Sequence, residues 1–364
     1  MGTTTLQRAE ATMRSMGVDA LLLGPGADLR YLTAYHALPL ERLTLLVARA
    51  DGVHTLVVPA LERPRAEDAG LPDAVTVVDF SETDDPFAVA AAALDGIGTG
   101  PRLGAGDRLW STFLLGLQAA VPAATWIRAS SVTRELRMRK APAEVDALRR
   151  AGQAIDRVHT DVAALLRPGR TEREVGRDIG ERILAEGHQA VNFVIVASGP
   201  NGASPHHETG PRRLADGDAV VVDIGGTLDG YCSDCTRNYV VGSAPDGYAD
   251  AHQALEAAQR AAVEAVRPGQ TAAEIDAAAR EPLEAAGYGP AFVHRTGHGI
   301  GLEEHEDPYI VAGNDLELES GMAFSVEPGV YLPGRFGMRI EDIVVVTPDG
   351  CENLNRLERA PVRI

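Results

Sequence analysis

The sequence predicts a two-domain α/β protein whose second domain is built from two related halves. Three observations carry that expectation. Short apolar runs alternate with helix-like stretches along the chain. A basic, proline-interrupted segment, Arg137-Met138-Arg139-Lys140-Ala141-Pro142, breaks that alternation. Beyond it, Arg167-Pro168-Gly169-Arg170-Thr171 returns 100 residues later as Arg267-Pro268-Gly269-Gln270-Thr271. A length of 364 residues points the same way, at roughly 100–200 residues per domain.

Leu6, Ala9, Met13 and Met16 fall on one stripe of an N-terminal amphipathic helix. The run from Ala20 to Leu23 reads as a strand stopped by Gly24-Pro25-Gly26, and Leu43 to Val47 as another ending before Asp51-Gly52. Thr55 to Val58 and Val75 to Val78 continue the series between Ala-rich, helix-like stretches. No chemical motif precedes residue 140. His36 and His54 have no partners nearby in sequence and read as surface or packing residues. The expected domains are 1–137 and 138–364, the second opening with a long helix from about Ala143 to Leu166.

In both copies of the repeat, Thr-x-x-Glu follows (Thr171 to Glu174, Thr271 to Glu274), a capping box that starts a helix. Each helix is expected to end near a glycine, Gly187 or Gly287. The echo continues through Gly217/Gly321, Ala219/Ala323 and Val222/Val326, which sets Asp223 on Glu327 and Gly225 on Gly329. Each half thus carries an acidic residue near the end of an apolar strand, and a site between the halves is the natural inference.

Composition narrows the chemistry. A formal charge of −18 argues against nucleic acid, which needs clustered Lys and Arg. Three cysteines, Cys232, Cys235 and Cys351, suit a reducing compartment better than a disulfide framework. The N-terminus lacks the apolar core of a secretory leader, and no apolar run reaches membrane-spanning length. The cytoplasm is the expected location.

The span from Ala219 to Val241 reads as a hairpin turning at Asp229-Gly230. A two-residue loop places Asp223 opposite Thr236 and Asp234 opposite Gly225. Asp223 and Asp234 then share a face, roughly 7–8 Å apart at the backbone. Two carboxylates on one buried face repel unless a cation lies between them. In the second half Glu327 ends the strand Met322 to Val326, and Glu341 lies on the returning run Met338 to Val346. Their shared face needs an odd loop or a bulge, which Leu332 to Phe336 can supply, with Arg339 as a supporting partner on that face. His298 is wedged between glycines in Gly297-His298-Gly299-Ile300-Gly301, with His305 seven residues on. Four carboxylates and one imidazole suit a pair of Mn²⁺, Co²⁺, Fe²⁺ or Zn²⁺ ions rather than a zinc–thiolate site. Cys232 and Cys235 bracket Asp234 but face opposite ways on a strand, so neither a zinc knuckle nor a disulfide is expected.

This constellation resembles the creatinase, aminopeptidase P, prolidase and methionine aminopeptidase family. The resemblance rests on Asp223 in Val-Asp-Ile-Gly-Gly, Asp234 in Ser-Asp-Cys-Thr-Arg, His298 in Gly-His-Gly-Ile-Gly, Glu327 in Val-Glu-Pro-Gly and Glu341 in Arg-Ile-Glu-Asp. It implies a creatinase-type N-terminal α/β domain, which Leu29-Arg30-Tyr31-Leu32-Thr33 also suggests, followed by a pseudo-two-fold pita-bread catalytic domain. It implies two divalent ions per chain, Mn²⁺ first among the candidates. Asp223 and Asp234 would hold one ion, and Asp234, His298, Glu327 and Glu341 the other, with Glu341 bridging. Glu327 would double as proton shuttle. His206, in Ser-Pro-His-His-Glu, would orient substrate, and His305, in Glu-Glu-His-Glu, would polarise the scissile carbonyl. Where the family has one histidine after proline this chain has two, and His207 reads as a neighbour.

The implied activity is hydrolysis between an N-terminal residue and proline, on proline-containing peptides, by a homodimer. Five intact ligands disfavour creatinase, which works without metal, and the long N-terminal domain disfavours methionine aminopeptidase. A dipeptidase needs a cation for the product-side carboxylate. No Arg or Lys lies between Glu304 and Gly334, so the expectation leans to X-Pro aminopeptidase over X-Pro dipeptidase. Arg335, or an Arg from a partner subunit, would reverse it. A non-peptidase member of the fold (a lyase or amidinohydrolase-like enzyme) and a silent binding protein are the alternatives.

Overall fold

The computed structural model describes residues 4–364. Residues 1–3 of the expected first domain lie outside the described residues. Two compact units divide the chain, one ending at Arg137 and the other running from Met138 to Ile364.

In the first unit the N-terminal stripe forms α1 (Thr5–Met16), with Leu6, Ala9 and Met13 buried and Thr4 capping it. The order continues β1 (Ala20–Leu23), α2 (Ala27–Thr33), β2 (Leu45–Arg49), β3 (His54–Pro59), α3 (Arg63–Glu67), β4 (Val75–Phe80), α4 (Pro86–Ala92), β5 (Arg102–Ala105), α5 (Ser111–Ala120), β6 (Thr125–Arg128) and α6 (Ser130–Arg137). The second strand starts and ends two residues later than the apolar run suggests. The sheet order is β4-β3-β2-β1-β5-β6. Both faces are covered: Leu21 and Leu23 of β1 join one core with α1, α2 and α6, while Ala20 and Leu22 join the other with α4 and α5. His54 is buried with Nε2 3.2 Å from Glu10 Oε1, a packing role, and His36 is exposed.

The second unit opens with α7 (Pro142–Leu165), followed by α8 (Glu172–Ala185), β7 (Ala190–Ser198), β8 (Ala219–Leu228), β9 (Tyr231–Val240), α9 (Tyr248–Ala265) and α10 (Ala272–Ala285). Then come β10 (Gly297–Gly299), β11 (Glu306–Ile310), β12 (Ala323–Val326), β13 (Gly329–Leu332), β14 (Phe336–Arg339), β15 (Asp342–Thr347), β16 (Gly350–Asn353) and β17 (Val362–Arg363). One sheet runs β17-β9-β8-β7, another β11-β10-β12-β15-β16, and β13 pairs with β14 alone. In the first half α7 and α8 pack on their sheet through Ile155, Val158, Val175 and Ile179 against Val220 and Val222. In the second, α9 and α10 pack through Leu255, Ile275 and Leu283 against Phe324 and Val344.

The halves repeat each other in detail. Both capping boxes form: Glu174 N donates to Thr171 Oγ1 at 3.1 Å, and Glu274 N to Thr271 Oγ1 at 3.2 Å. Gly169 N donates to Leu214 O at 2.8 Å, and Gly269 N to Leu318 O at 2.9 Å. Gly217 and Gly321, which precede β8 and β12, take φ of 87° and 90°. The hairpin register matches the reading from its turn: Asp223 faces Thr236, and Gly225 faces Asp234. Asp229 and Gly230 both have positive φ, as that turn requires. In the second half Val326 faces Asp342 in one ladder and Gly329 faces Arg339 in the next. The three-residue loop Pro333-Gly334-Arg335 keeps both ladders in one register, interrupted where Glu327 and Glu341 stand. Cys232 and Cys235 are free thiols in different apolar clusters, as opposite faces of β9 require.

Candidate metal centre and substrate pocket

Five strands deliver acidic or imidazole side chains to one cavity of about 550 Å³. Asp223 comes from β8, Asp234 from β9, His298 from β10, Glu327 from the end of β12 and Glu341 from the junction of β14 and β15. All five line the cavity together with His206 and His305. The structure therefore brings every residue singled out from the sequence to one place. Donor atoms of Asp234, His298 and Glu341 lie within 4.8 Å of one another. His298 Nε2 is 3.3 Å from Glu327 Oε1 and 3.8 Å from Asp234 Oδ2.

The surrounding hydrogen bonds orient these groups. His298 Nδ1 lies 3.1 Å from Gly299 O; a carbonyl only accepts, so Nδ1 carries the proton and Nε2 presents its lone pair to the carboxylates. Ser325 Oγ accepts from His298 N at 3.0 Å and donates to Glu327 Oε1 at 3.1 Å. Thr236 Oγ1 donates to Glu341 Oε2 at 2.7 Å and accepts from Arg339 Nε at 3.1 Å. Arg339 also ion-pairs with Asp223 through Nη2. One guanidinium thus ties acids of both halves, the supporting place expected for it.

A single arginine does not neutralise four clustered carboxylates. Burial, then Glu341, Asp223 and Glu327, push the Asp234 carboxyl well above its ordinary range. Burial, then Glu327 and Asp223, raise Glu341 likewise, and burial lifts Glu327 to about 7. Burial drops His298 to about 3, which keeps its imidazole neutral and able to ligate. Asp223 Oδ1 and Asp234 Oδ1 are buried without any hydrogen-bond partner among the described residues. Orphaned carboxylate oxygens in a repulsive acid cluster fit divalent cations, which would supply the missing partner and the missing charge.

Several cavity residues escaped the sequence reading: Phe193, Ile195, His294, Arg295 and Glu304. His294 Nδ1 faces Arg295 O at 2.7 Å, and its Nε2 accepts from the Tyr331 hydroxyl at 2.8 Å. That hydroxyl accepts from Arg339 Nη1 at 2.8 Å, so His294 joins the network around Asp223. Burial, then Arg339, lowers His294 to about 4. Arg295 lies over the Tyr309 ring at 4.6 Å. The signal for both in the sequence is proximity, since they immediately precede Thr296-Gly297-His298, ahead of the stretch from Glu304 to Gly334 that holds no Arg or Lys.

Comparison with known proteins decides the family. The profile of metallopeptidase family M24 matches residues 146–348, and that of the creatinase/prolidase N-terminal domain matches 5–139. The chain belongs to metallopeptidase family M24. Among M24 relatives, the probable dipeptidase PepE of Mycobacterium tuberculosis is 49% identical over 96% of this chain and 93% of its own length. The crystal structure of dipeptidase PepE from Mycobacterium ulcerans superposes with a TM-score of 0.92 at 51% identity, covering 99% of this chain and 96% of that one. The prolidase of Thermococcus sibiricus gives a TM-score of 0.93 at 34% identity over 100% of both chains. The first unit is accordingly a creatinase-type domain, the second has the pita-bread fold of M24 peptidases, and the protein is a peptidase. No helix among the described residues is long and apolar enough to cross a membrane.

Proposed function

We propose that the chain is an X-Pro dipeptidase that works with two divalent cations held by Asp223, Asp234, His298, Glu327 and Glu341. The observation that carries the reading is the pairing, in one cavity, of this cation-seeking acid cluster with an arginine beyond it, Arg295. Arg295 supports a dipeptidase because the product-side carboxylate of a dipeptide needs a charge-assisted partner. The expected lean to aminopeptidase is withdrawn. It rested on a gap in Lys and Arg between Glu304 and Gly334, whereas Arg295 lies before that gap, and the relatives above carry dipeptidase or prolidase names. Mn²⁺ remains the first candidate, since an oxygen-rich donor set with one imidazole suits it.

Bound cations supply Lewis acidity toward the scissile carbonyl and lower the pKa of attacking water. The chain's own residues do the rest. Glu327 takes the proton of the attacking water and returns it to the proline nitrogen as the C–N bond breaks. His305, lowered first by burial and then by Arg295, stays neutral and donates one N–H to the developing oxyanion. His206 orients the substrate from the loop that follows β7. Phe193 and Ile195 give the cavity an apolar wall.

The test is a panel of X-Pro dipeptides and X-Pro-Y tripeptides, with Mn²⁺, Co²⁺ or Zn²⁺, on wild type and Arg295→Ala. Wild type is expected to prefer dipeptides. Arg295→Ala is expected to raise KM for dipeptides about 10- to 100-fold while leaving tripeptides little changed, the range of one charge-assisted hydrogen bond. Faster tripeptide cleavage by wild type overturns the assignment.

A further inference from the structure

His207, which the sequence presents as a bystander to His206, takes part in an arrangement that has its own logic. Glu172, the first residue of α8, is completely buried. Its Oε1 accepts from Ser198 N at 2.8 Å, Ser198 Oγ at 2.6 Å and Asn201 Nδ2 at 3.0 Å. Its Oε2 accepts from His207 Nε2 at 2.8 Å and Gly210 N at 3.2 Å. One carboxylate therefore gathers both ends of the segment from Ser198 to Gly210, which leaves β7 and carries His206 to the cavity. Burial pushes the Glu172 carboxyl up, but the hydrogen bonds from Ser198, His207 and Asn201 outweigh it and hold the group below its ordinary range.

On the other side of His206, Pro205 O accepts from Arg339 Nη1 at 3.3 Å. The same guanidinium pairs with Asp223. His206 is thus bracketed: Pro205 is tied to the acid cluster, and His207 is turned away onto Glu172. The other half meets the same need differently. Ala272 takes the place of Glu172, and Asp276, one helical turn on, accepts from Thr296 N at 3.1 Å and Thr296 Oγ1 at 2.8 Å, just ahead of His298.

We propose that Glu172 and His207 are positioning residues that hold the Ser198–Gly210 loop so that His206 meets the substrate. The proposal rests on the peptidase reading above, in which His206 acts on substrate rather than on metal. A loop released at one end misplaces its histidine by an ångström or more, an error that costs up to about 10²-fold in rate.

The experiment is a double-mutant cycle on an X-Pro dipeptide with metal content measured throughout. His207→Ala is expected to lower kcat about tenfold or more, with KM and bound metal unchanged, and His207→Gln, which keeps an N–H donor, to recover part of the loss. The double variant His206→Ala/His207→Ala is expected to be no slower than His206→Ala alone, because the anchor acts only through His206. Glu172→Gln, which keeps shape but loses charge, is expected to follow His207→Ala. Hydrogen exchange across residues 198–210 is expected to quicken in His207→Ala. Wild-type turnover in His207→Ala, losses that multiply in the double variant, or unchanged exchange each overturn the proposal. A wild type inert on X-Pro dipeptides instead overturns the substrate reading, and hydrogen exchange still decides the anchor.

Discussion

Glu341 and Asp342 are neighbours in sequence, both buried, and electrostatically opposite. Asp342 accepts from Arg237, Gln259, Asn353 and Arg359, so although burial pushes its carboxyl up, the two arginines and Asn353 hold it below the ordinary range. Glu341 faces other acids and is driven up. A buried carboxylate supplied with donors holds the fold together, whereas one left among its own kind waits for a cation. Glu327 stands with Glu341, and its hydrogen bond from Ser325 fixes one oxygen while burial raises its proton affinity. Glu327→Gln keeps the shape and removes the base. It is expected to lower kcat on an X-Pro dipeptide by about 10²–10⁴ with KM changed far less, since the interaction lost belongs to the transition state. Steady-state kinetics together with elemental analysis on the same sample check this; near-normal turnover with both ions bound removes the proton-shuttle role.

Secondary-structure elements set how far apart these groups can stand. A tight turn at Asp229-Gly230 and a three-residue loop at Pro333–Arg335 fix two registers, and with them which residues share a face. Crossing from one half to the other depends on closer contacts. Thr236 bridges to Glu341, and the Asn238 amide donates to Arg339 O at 2.8 Å. Within the second half, a Cβ at Gly297 would sit 1.8 Å from Ser325 O, on the strand that leads to Glu327. Only glycine lets β10 and β12 come together and set His298 beside Glu327. Gly297→Ala is expected to lower thermal stability and bound metal together, by several kcal/mol of backbone displacement. Calorimetry and metal analysis on one preparation test it, and full metal content at wild-type melting temperature contradicts the account.

At the scale of the molecule, the second unit is two copies of one plan with their acids facing each other. Such a unit concentrates repulsion in its own cavity, and bound cations relieve it. Chelation is therefore expected to abolish peptidase activity and to lower the melting temperature as well. At cation concentrations near 100 times the dissociation constant the linkage is about 2.7 kcal/mol, or on the order of 5–10 °C for a unit of this size. Restoring Mn²⁺ or Co²⁺ should return both. Full activity in protein shown metal-free by elemental analysis excludes the metal-dependent reading.

The parts of the fold written into the sequence are those that depend on near neighbours. The Thr-x-x-Glu caps at Thr171 and Thr271, the hairpin register of Asp223 and Asp234, and the repeat linking Gly217 to Gly321 all follow from short-range rules of turns, caps and alternation. The four acids and the imidazole were legible for the same reason, since each sits in a short motif on one strand or at its end. What only the tertiary structure decided lies between segments distant in the chain. Arg295 shares its cavity with His206, which comes from the other half. His207 finds Glu172 35 residues away, and Arg339 reaches Asp223 116 residues away. Such partnerships form when packing shields both groups from water and sets them within reach of each other, a condition that no local pattern of residues records.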